Sequence, residues 1–473
     1  MKSAAALIVV FLLSALSTAQ QHQQHPPPQS SQPAPVEQPP VPPIGQSQQA
    51  PGPKLRLQQL EEMALRNNPT LAQAQAEIEA SRGRRLQAGL FPNPMVGYSG
   101  EEIRGGRLRG GQHGAFIEQS IVLGGKLGLG RKVFEQEVRL AEIEAEEQRL
   151  RVINSVRRAF YRALAAQELL ALEKAFVQHA AEHVDTSRRL LNLGQADETE
   201  VLQAEIELQQ GELAVSRREN DLRRVWLALA ALVGSPALPL TTLEGNLEQN
   251  LPALEDEQVL QAMVERSPAV RIAQTSVARS EAMVSRAGRE AVPDLRIRAG
   301  LQQNRELLEA FGRPVGLQGF AEVGVQLPIF NRNQGNVQAA RAGVERARQE
   351  ITRVQLVLRE RAAGTLERHR NGRAAVERYR DQIIPRARRA YEALLAKWGQ
   401  MAASYPQVLM AQRTLFHLQR DYITALDEVW GSAIALEGFL LTDGLEAPAR
   451  PGEMDFPVRE INLPTPRGNG EDR

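Results

Sequence analysis

Several residues in this chain have the type and spacing to do chemistry. His179 and His183 stand four apart in a helical stretch, which is metal-ligand spacing on one helix face. No Glu follows His179, so the His-Glu-x-x-His signature is absent, and the other reading of the pair is a solvated helix face. His22 and His25 lie in Gln-His-Gln-Gln-His, where weak metal scavenging competes with a plain tether. Glu137, Glu142, Glu144, Glu146 and Glu147 form an acidic run that reads as an exposed face. No Ser-His-Asp pattern, phosphate loop or dinucleotide fingerprint is present. The chain has no cysteine, which excludes disulfides, thiolate metal sites and a lipid-modified cysteine. These residues assemble no catalytic site, no resident metal site and no cofactor site, so an enzyme is not expected.

The elements that carry these residues say more. The chain is one unit written twice. Asn68-Pro69-Thr70-Leu71, Ala88-Gly89 and Pro94 in the first copy answer Ser267-Pro268-Ala269-Val270, Ala287-Gly288 and Pro293 in the second. Leu193-Gly194-Gln195 answers Trp398-Gly399-Gln400, and Trp226 to Gly234 answers Trp430 to Gly438. A period of about 200 residues is too long for a solenoid and fits a duplicated half that closes a pseudo-symmetric body. Copies are expected at 54–245 and 246–443.

Each copy opens with a helix broken at Asn-Pro or Ser-Pro, then two β candidates, then two long helices. Strands are expected at Pro94–Glu101, Ala115–Gly124, Asp294–Gln303 and Phe320–Ile329. The second pair alternates cleanly: Leu295, Ile297, Ala299 and Leu301 oppose Arg296, Arg298 and Gln302. Such strands fit either an outer-membrane wall or a soluble hairpin packed on helices. In the first pair Val96 and Tyr98 keep the pattern, and Glu118 is read as breaking it. From Leu127 to Leu193 there is no proline, which predicts a helix of roughly 100 Å. The second-copy counterpart, Gln334 to Trp398, contains Pro385. Gly194 and Gly399 are expected to occupy left-handed or otherwise strained backbone at two tight helical turns.

The ends differ in composition. Lys2 and an apolar run from Ala4 to Leu16, then Ser17-Thr18-Ala19, predict a signal peptide over 1–19; an uncleaved anchor is the rival. Residues 20–53 and 444–473 are expected to be disordered. The charges nearly cancel, at 57 basic and 56 acidic residues, and no basic patch with interleaved aromatics appears, so nucleic acid is not an expected partner.

From about Leu55 to Leu441 these pieces resemble the TolC-type outer-membrane efflux factors. The likeness rests on Asn68–Leu71, Pro92–Pro94, Gln119–Lys126, Leu327–Gly335 and the hairpin Arg189–Gln195 with Glu200-Val-Leu-Gln-Ala-Glu. The Leu-Gly-Gly-Lys stretch is most similar to the heavy-metal branch, the CzcC-like proteins. The resemblance implies a mainly α chain with a small β part. It implies a homotrimer with a twelve-stranded β-barrel in outer-membrane lipid, continuous with a long periplasmic α-barrel. It further implies a passive exit duct for metal cations, joined by a periplasmic adaptor to an inner-membrane pump of the resistance-nodulation-division type. Gly194, Gln195, Gly399 and Gln400 would then be adaptor-contact tips, and Glu200 a periplasmic gate residue. The second-copy counterpart of Glu200 is Gln407, which departs from the family pattern. The rival reading is a soluble periplasmic coiled-coil scaffold without a barrel.

Overall fold

A computed structural model of the chain describes residues 54–103, 111–194, 196–308, 313–400 and 402–448. The expected leader (1–19), the linker (20–53) with His22 and His25, Gln195 and the tail beyond residue 448 lie outside the described residues.

The element order runs twice. Helix α1 (Leu57–Asn67) stops at Asn68, whose side chain caps α2 (Pro69–Ala88) by accepting the Thr70 N–H at 3.0 Å. Pro69 sits at the first helical position, where its missing N–H costs nothing. Strands β1 (Met95–Glu101) and β2 (Gln112–Ile121) follow, then α3 (Lys126–Asn192) and α4 (Glu198–Leu232). The second copy repeats this with α5 (Asp256–Arg266), α6 (Pro268–Arg289), β3 (Leu295–Leu308) and β4 (Arg313–Val325). It ends with α7 (Gln334–Arg378), a π-helical turn (Tyr379–Ile383), α8 (Ile384–Gly399) and α9 (Tyr405–Glu437).

Helix α3 has 67 residues without a break, roughly 100 Å of rod. No isolated helix of that length draws stability from itself, so it must pack sideways. It does so against α1, α2, α4, α6 and α9. The main core gathers Leu60 and Ala64, Val152, Val156 and Phe160, Trp226 and Leu229, and Leu426, Val429 and Trp430. The two tryptophans answer one another in the duplication, and both fasten the connection between the copies. Trp226 Nε1 donates to the Leu238 carbonyl at 3.0 Å, and Trp430 Nε1 to the Leu247 carbonyl at 2.8 Å. Cutting either ring back to alanine removes about 3–5 kcal/mol of packing.

The four strands form one antiparallel sheet in the order β1-β2-β3-β4, so the β2–β3 pairing joins the copies. The strands differ from their expected bounds. Leu327-Pro328-Ile329 lies outside β4, because Pro328 has no N–H for a ladder. Toward the loops, β3 and β4 run further than expected, and Asn304 Nδ2 donates to Gln318 Oε1 at 3.3 Å there.

The tail expected from residue 444 begins too early. Gly444 N–H donates to Ser155 Oγ at 2.9 Å, and its carbonyl accepts from Asn68 Nδ2 at 3.3 Å. The Glu446 carbonyl accepts from Gln148 Nε2 at 3.1 Å. Buried amides of α2 and α3 need those carbonyls, and that need holds the segment down.

Candidate functional site

The sheet has two faces of opposite character. One carries the cross-strand row Val96, Ile117, Ala299, Ala321 and the next row Tyr98, Ala115, Leu301, Gly319. Its large apolar side chains stand open: Val96 is 74 % exposed, Leu301 60 % and Val323 70 %. The other face carries the row Glu118, Arg298, Glu322. Arg298 reaches Glu322 at 3.7 Å and Arg296 reaches Glu118 at 3.2 Å. The Arg298 guanidinium also lies 4.0 Å from the Phe116 ring centroid. Glu118 therefore does not break the alternation as expected. The register sets it squarely on the charged face opposite Arg298.

Where strand becomes helix, Gly124 and Gly125 both take positive φ, 71° and 70°, so the chain can reverse within two residues. Lys126 follows at the first turn of α3, where the helix dipole disfavours a cation. Its compensation comes from the other copy: Nζ lies 2.9 Å from Asp294 Oδ1, which also accepts the Leu123 N–H at 2.9 Å. Sequence reasoning missed Asp294. The clue was a lysine at a helix N-terminus, since such a charge needs an acid from elsewhere.

The two helical tips are unlike. At the first, Gly194 has φ 70° and donates to the Leu191 carbonyl at 2.9 Å, while Leu193 is 70 % exposed. At the second, Gly399 is the last residue of α8 and does not lie beyond it. Gln400 and Ala402 both donate to the Lys397 carbonyl, at 3.1 and 2.8 Å. The left-handed or otherwise strained backbone expected at Gly399 is thus corrected: the helix runs one residue further here before it turns. Ser404 and Gln407 then form a capping box that starts α9. Glu200 sits in the first turn of α4 with Glu198, half-buried, after the Asp197 N-cap.

The two histidines at metal-ligand spacing do not form the solvated face expected of them but are used for packing. His183 lies edge-on to Tyr405, ring centroids 5.7 Å apart, and burial pushes its imidazole pKa down. His179 faces Phe416 at 6.0 Å and Glu182 at 3.2 Å. Together with the Arg413–Glu207 pair at 2.7 Å, these contacts tie the second hairpin to the first. No group of three or more His, Cys, Asp or Glu able to hold a metal occurs among the described residues. The acidic run is not one exposed face either. Glu142 and Glu146 pair with Arg82 and Arg271, but Glu137 and Glu144 are buried, because α2 and α6 flank this part of α3.

Comparison with known proteins agrees with this architecture. The family model for the outer membrane efflux protein matches the chain twice, over residues 60–235 and 259–440. The cobalt-zinc-cadmium resistance protein CzcC of Cupriavidus metallidurans is 27 % identical, over 83 % of this chain and 91 % of its own. The nickel-cobalt-cadmium resistance protein NccC of Alcaligenes xylosoxydans xylosoxydans is 25 % identical, over 66 % of this chain and 68 % of its own. Among solved structures, the open state of the MtrE outer membrane channel of Neisseria gonorrhoeae superposes with a TM-score of 0.67 at 18 % identity, covering 83 % of this chain and 90 % of that one. The double family match and the likeness to CzcC, on a chain whose two-faced sheet is mounted on paired long helices, place it in the outer membrane with a large helical part in the periplasm; it belongs to the outer membrane efflux protein family and is an efflux exit channel.

Proposed function

We propose that three copies of this chain assemble into a closed duct that passes metal cations out of the cell. The supporting observation is the sheet. It exposes apolar side chains on one face, lines the other with Glu118, Arg298 and Glu322, and leaves β1 and β4 without a further strand partner among the described residues. An open edge in lipid leaves backbone groups unpaired, at several kcal/mol each. Joining β4 of one copy to β1 of the next removes every edge, and three copies give about twelve strands, within the range of outer-membrane barrels. Helix α4 supports the same closure. Leu202, Ile206, Leu213 and Leu227 are exposed at near-heptad spacing, the pattern of a helix seam awaiting a neighbour.

The duct itself is passive. An adaptor binding at Gly194, Gln195, Gly399 and Gln400 would connect it to an inner-membrane pump of the resistance-nodulation-division type. Glu200 would set the charge of the periplasmic mouth. Metal cations are the cargo the cobalt, zinc, cadmium and nickel resistance relatives suggest. The soluble scaffold reading gives no role to the exposed apolar face.

The test has two parts. Detergent extraction of the outer membrane and mass measurement should return about three chains, in the rotationally symmetric closure argued above. Deleting the gene should lower tolerance to cobalt, zinc or cadmium, and the intact chain should restore it. A monomer in the periplasmic fraction, or unchanged metal tolerance with an intact trimer, would overturn the assembly and the cargo respectively.

A further inference from the structure

Helix α3 presents a polar line to α2 and α6 at Glu137, Glu144 and Gln148, separated by seven and four residues and so on one face. Two of the three are fully partnered. Glu137 binds Arg279 of α6 at 2.7 Å and lies 3.9 Å from Arg84 of α2. Gln148 donates to Thr70 of α2 at 2.8 Å. Glu144, between them, is 5 % exposed, and neither carboxylate oxygen has a hydrogen-bond partner.

The charged groups around it are already committed. On α2, Glu77 holds Arg84 at 2.6 Å. On α3, Glu147 holds Arg151 at 2.8 Å, and Arg151 also takes Glu446 at 3.1 Å. On α6, Arg271 is held by Glu146 and Arg279 by Glu137. Arg151 Nε also lies unpartnered, yet among the described residues no ion pair reaches Glu144, and Glu77 and Glu147 add like charge. An ionised carboxylate in such a place is costly, whereas its neutral acid is only an imperfectly bonded polar group.

We propose that Glu144 is a proton-operated latch in the α2–α3–α6 seam: the carboxylic acid permits the packing seen here, and its ionisation loosens the seam. Burial, then Glu147 and Glu77, push its pKa up from 4.5 to about 8. The sign follows from linkage. Between these two values the folded chain holds the proton more tightly than the unfolded chain. Stability from this group is therefore greatest at acid pH, falls as pH rises through the window, and levels off above it. The outer membrane meets ambient pH directly, so alkaline surroundings would act on the helices that carry the sheet. This inference does not depend on the cargo or on the adaptor.

The absence of cysteine makes a clean test possible. A single thiol at Ala74→Cys, buried in α2, reports opening of the seam when labelled in the intact full-length protein. Its labelling rate is compared with Glu144 and with Glu144→Gln in the same background, which cancels the thiol's own pH dependence. The ratio of the Glu144 rate to the Gln rate should approach one only below about pH 4.5 and should rise roughly fivefold or more between about pH 6 and about pH 9. Glu144→Met is the second variant, should Gln fail to assemble, and should behave as Gln does. A rate ratio that stays constant from acid to alkaline pH, with assembly intact, overturns the proposal.

Discussion

The two copies build the same reach from different material. In the first, α3 runs 67 residues as a single helix. In the second, α7, a π-helical turn and α8 cover Gln334 to Gly399, nearly the same length with a fault inside. The fault has an identifiable cause. Pro385 carries no N–H, and its ring crowds the carbonyl four residues back. The chain answers by widening just ahead of it: Ile384 N–H bonds to the Tyr379 carbonyl, five residues back. Tyr379 and Ile384 pack against the main core, so the fault lies at a supported level. Duplication preserved length and destination while the second rod gained a place to bend.

The largest effect should come from moving that fault. Ala180 corresponds to Pro385 by the spacing of the tips and is 2 % exposed in α3. Ala180→Pro should cost about 3 kcal/mol or more and sharply reduce assembled protein, since no π-turn stands ready there. Pro385→Ala should change thermal stability by less than about 1 kcal/mol. Equal tolerance at both positions would erase the contrast between the rods.

A second contrast concerns pH. Glu144 in the first copy should weaken the fold as pH rises from about 4.5 to about 8, with no further loss above that. His369 in the second copy is 2 % exposed with Nε2 unpartnered, and burial pushes its pKa below the ordinary value. The folded chain thus resists protonating it, and stability is lost as pH falls below about 6.5 toward the lowered folded value. The two windows overlap with opposite slopes, so each group's share of the melting-temperature profile is read by removing it. His369→Gln should remove the loss seen as pH falls below about 6.5, and Glu144→Gln the loss seen as pH rises from about 4.5 to about 8.

The tips give smaller effects. Gly194→Val forces a branched side chain into left-handed backbone, at about 1–2 kcal/mol locally. Adaptor co-purification should fall while trimer mass holds. Gly399→Ala, at a helical residue, should be neutral or stabilising by up to about 1 kcal/mol. Smallest of all is Glu200→Gln, which removes a dipole interaction of about 0.3–1 kcal/mol. Its clearer readout is single-channel cation preference in a planar bilayer. Unchanged selectivity would place Glu200 away from the mouth.

Much of this architecture was legible from the sequence. Asn68-Pro69 and Ser267-Pro268 mark helix starts through proline chemistry, and Leu295 to Leu301 alternates because one sheet face is apolar. What escaped notice depends on partners distant in the chain. Glu118 looked misplaced until Arg298 stood across from it, and Glu144 looked solvated until α2 and α6 flanked α3. Lys126 needed Asp294 from the other copy, and Gly444 needed Asn68 and Ser155. The π-turn is a local answer to Pro385, yet a proline alone also predicts a plain kink.

The pairing of β2 with β3 also sets a timetable. Gln112 bonds across to Asn304 and Ile121 to Leu295, so the middle seam of the sheet joins segments separated by most of a copy. Closing a loop that long is slow, and no part of the seam can form until β3, early in the second copy, has been made and exported. Until then the first hairpin is a lone two-stranded ribbon with apolar side chains and no lipid-ready wall. Such a ribbon has an open strand edge and exposed apolar side chains, an aggregation hazard that ends only when β3 and β4 join it.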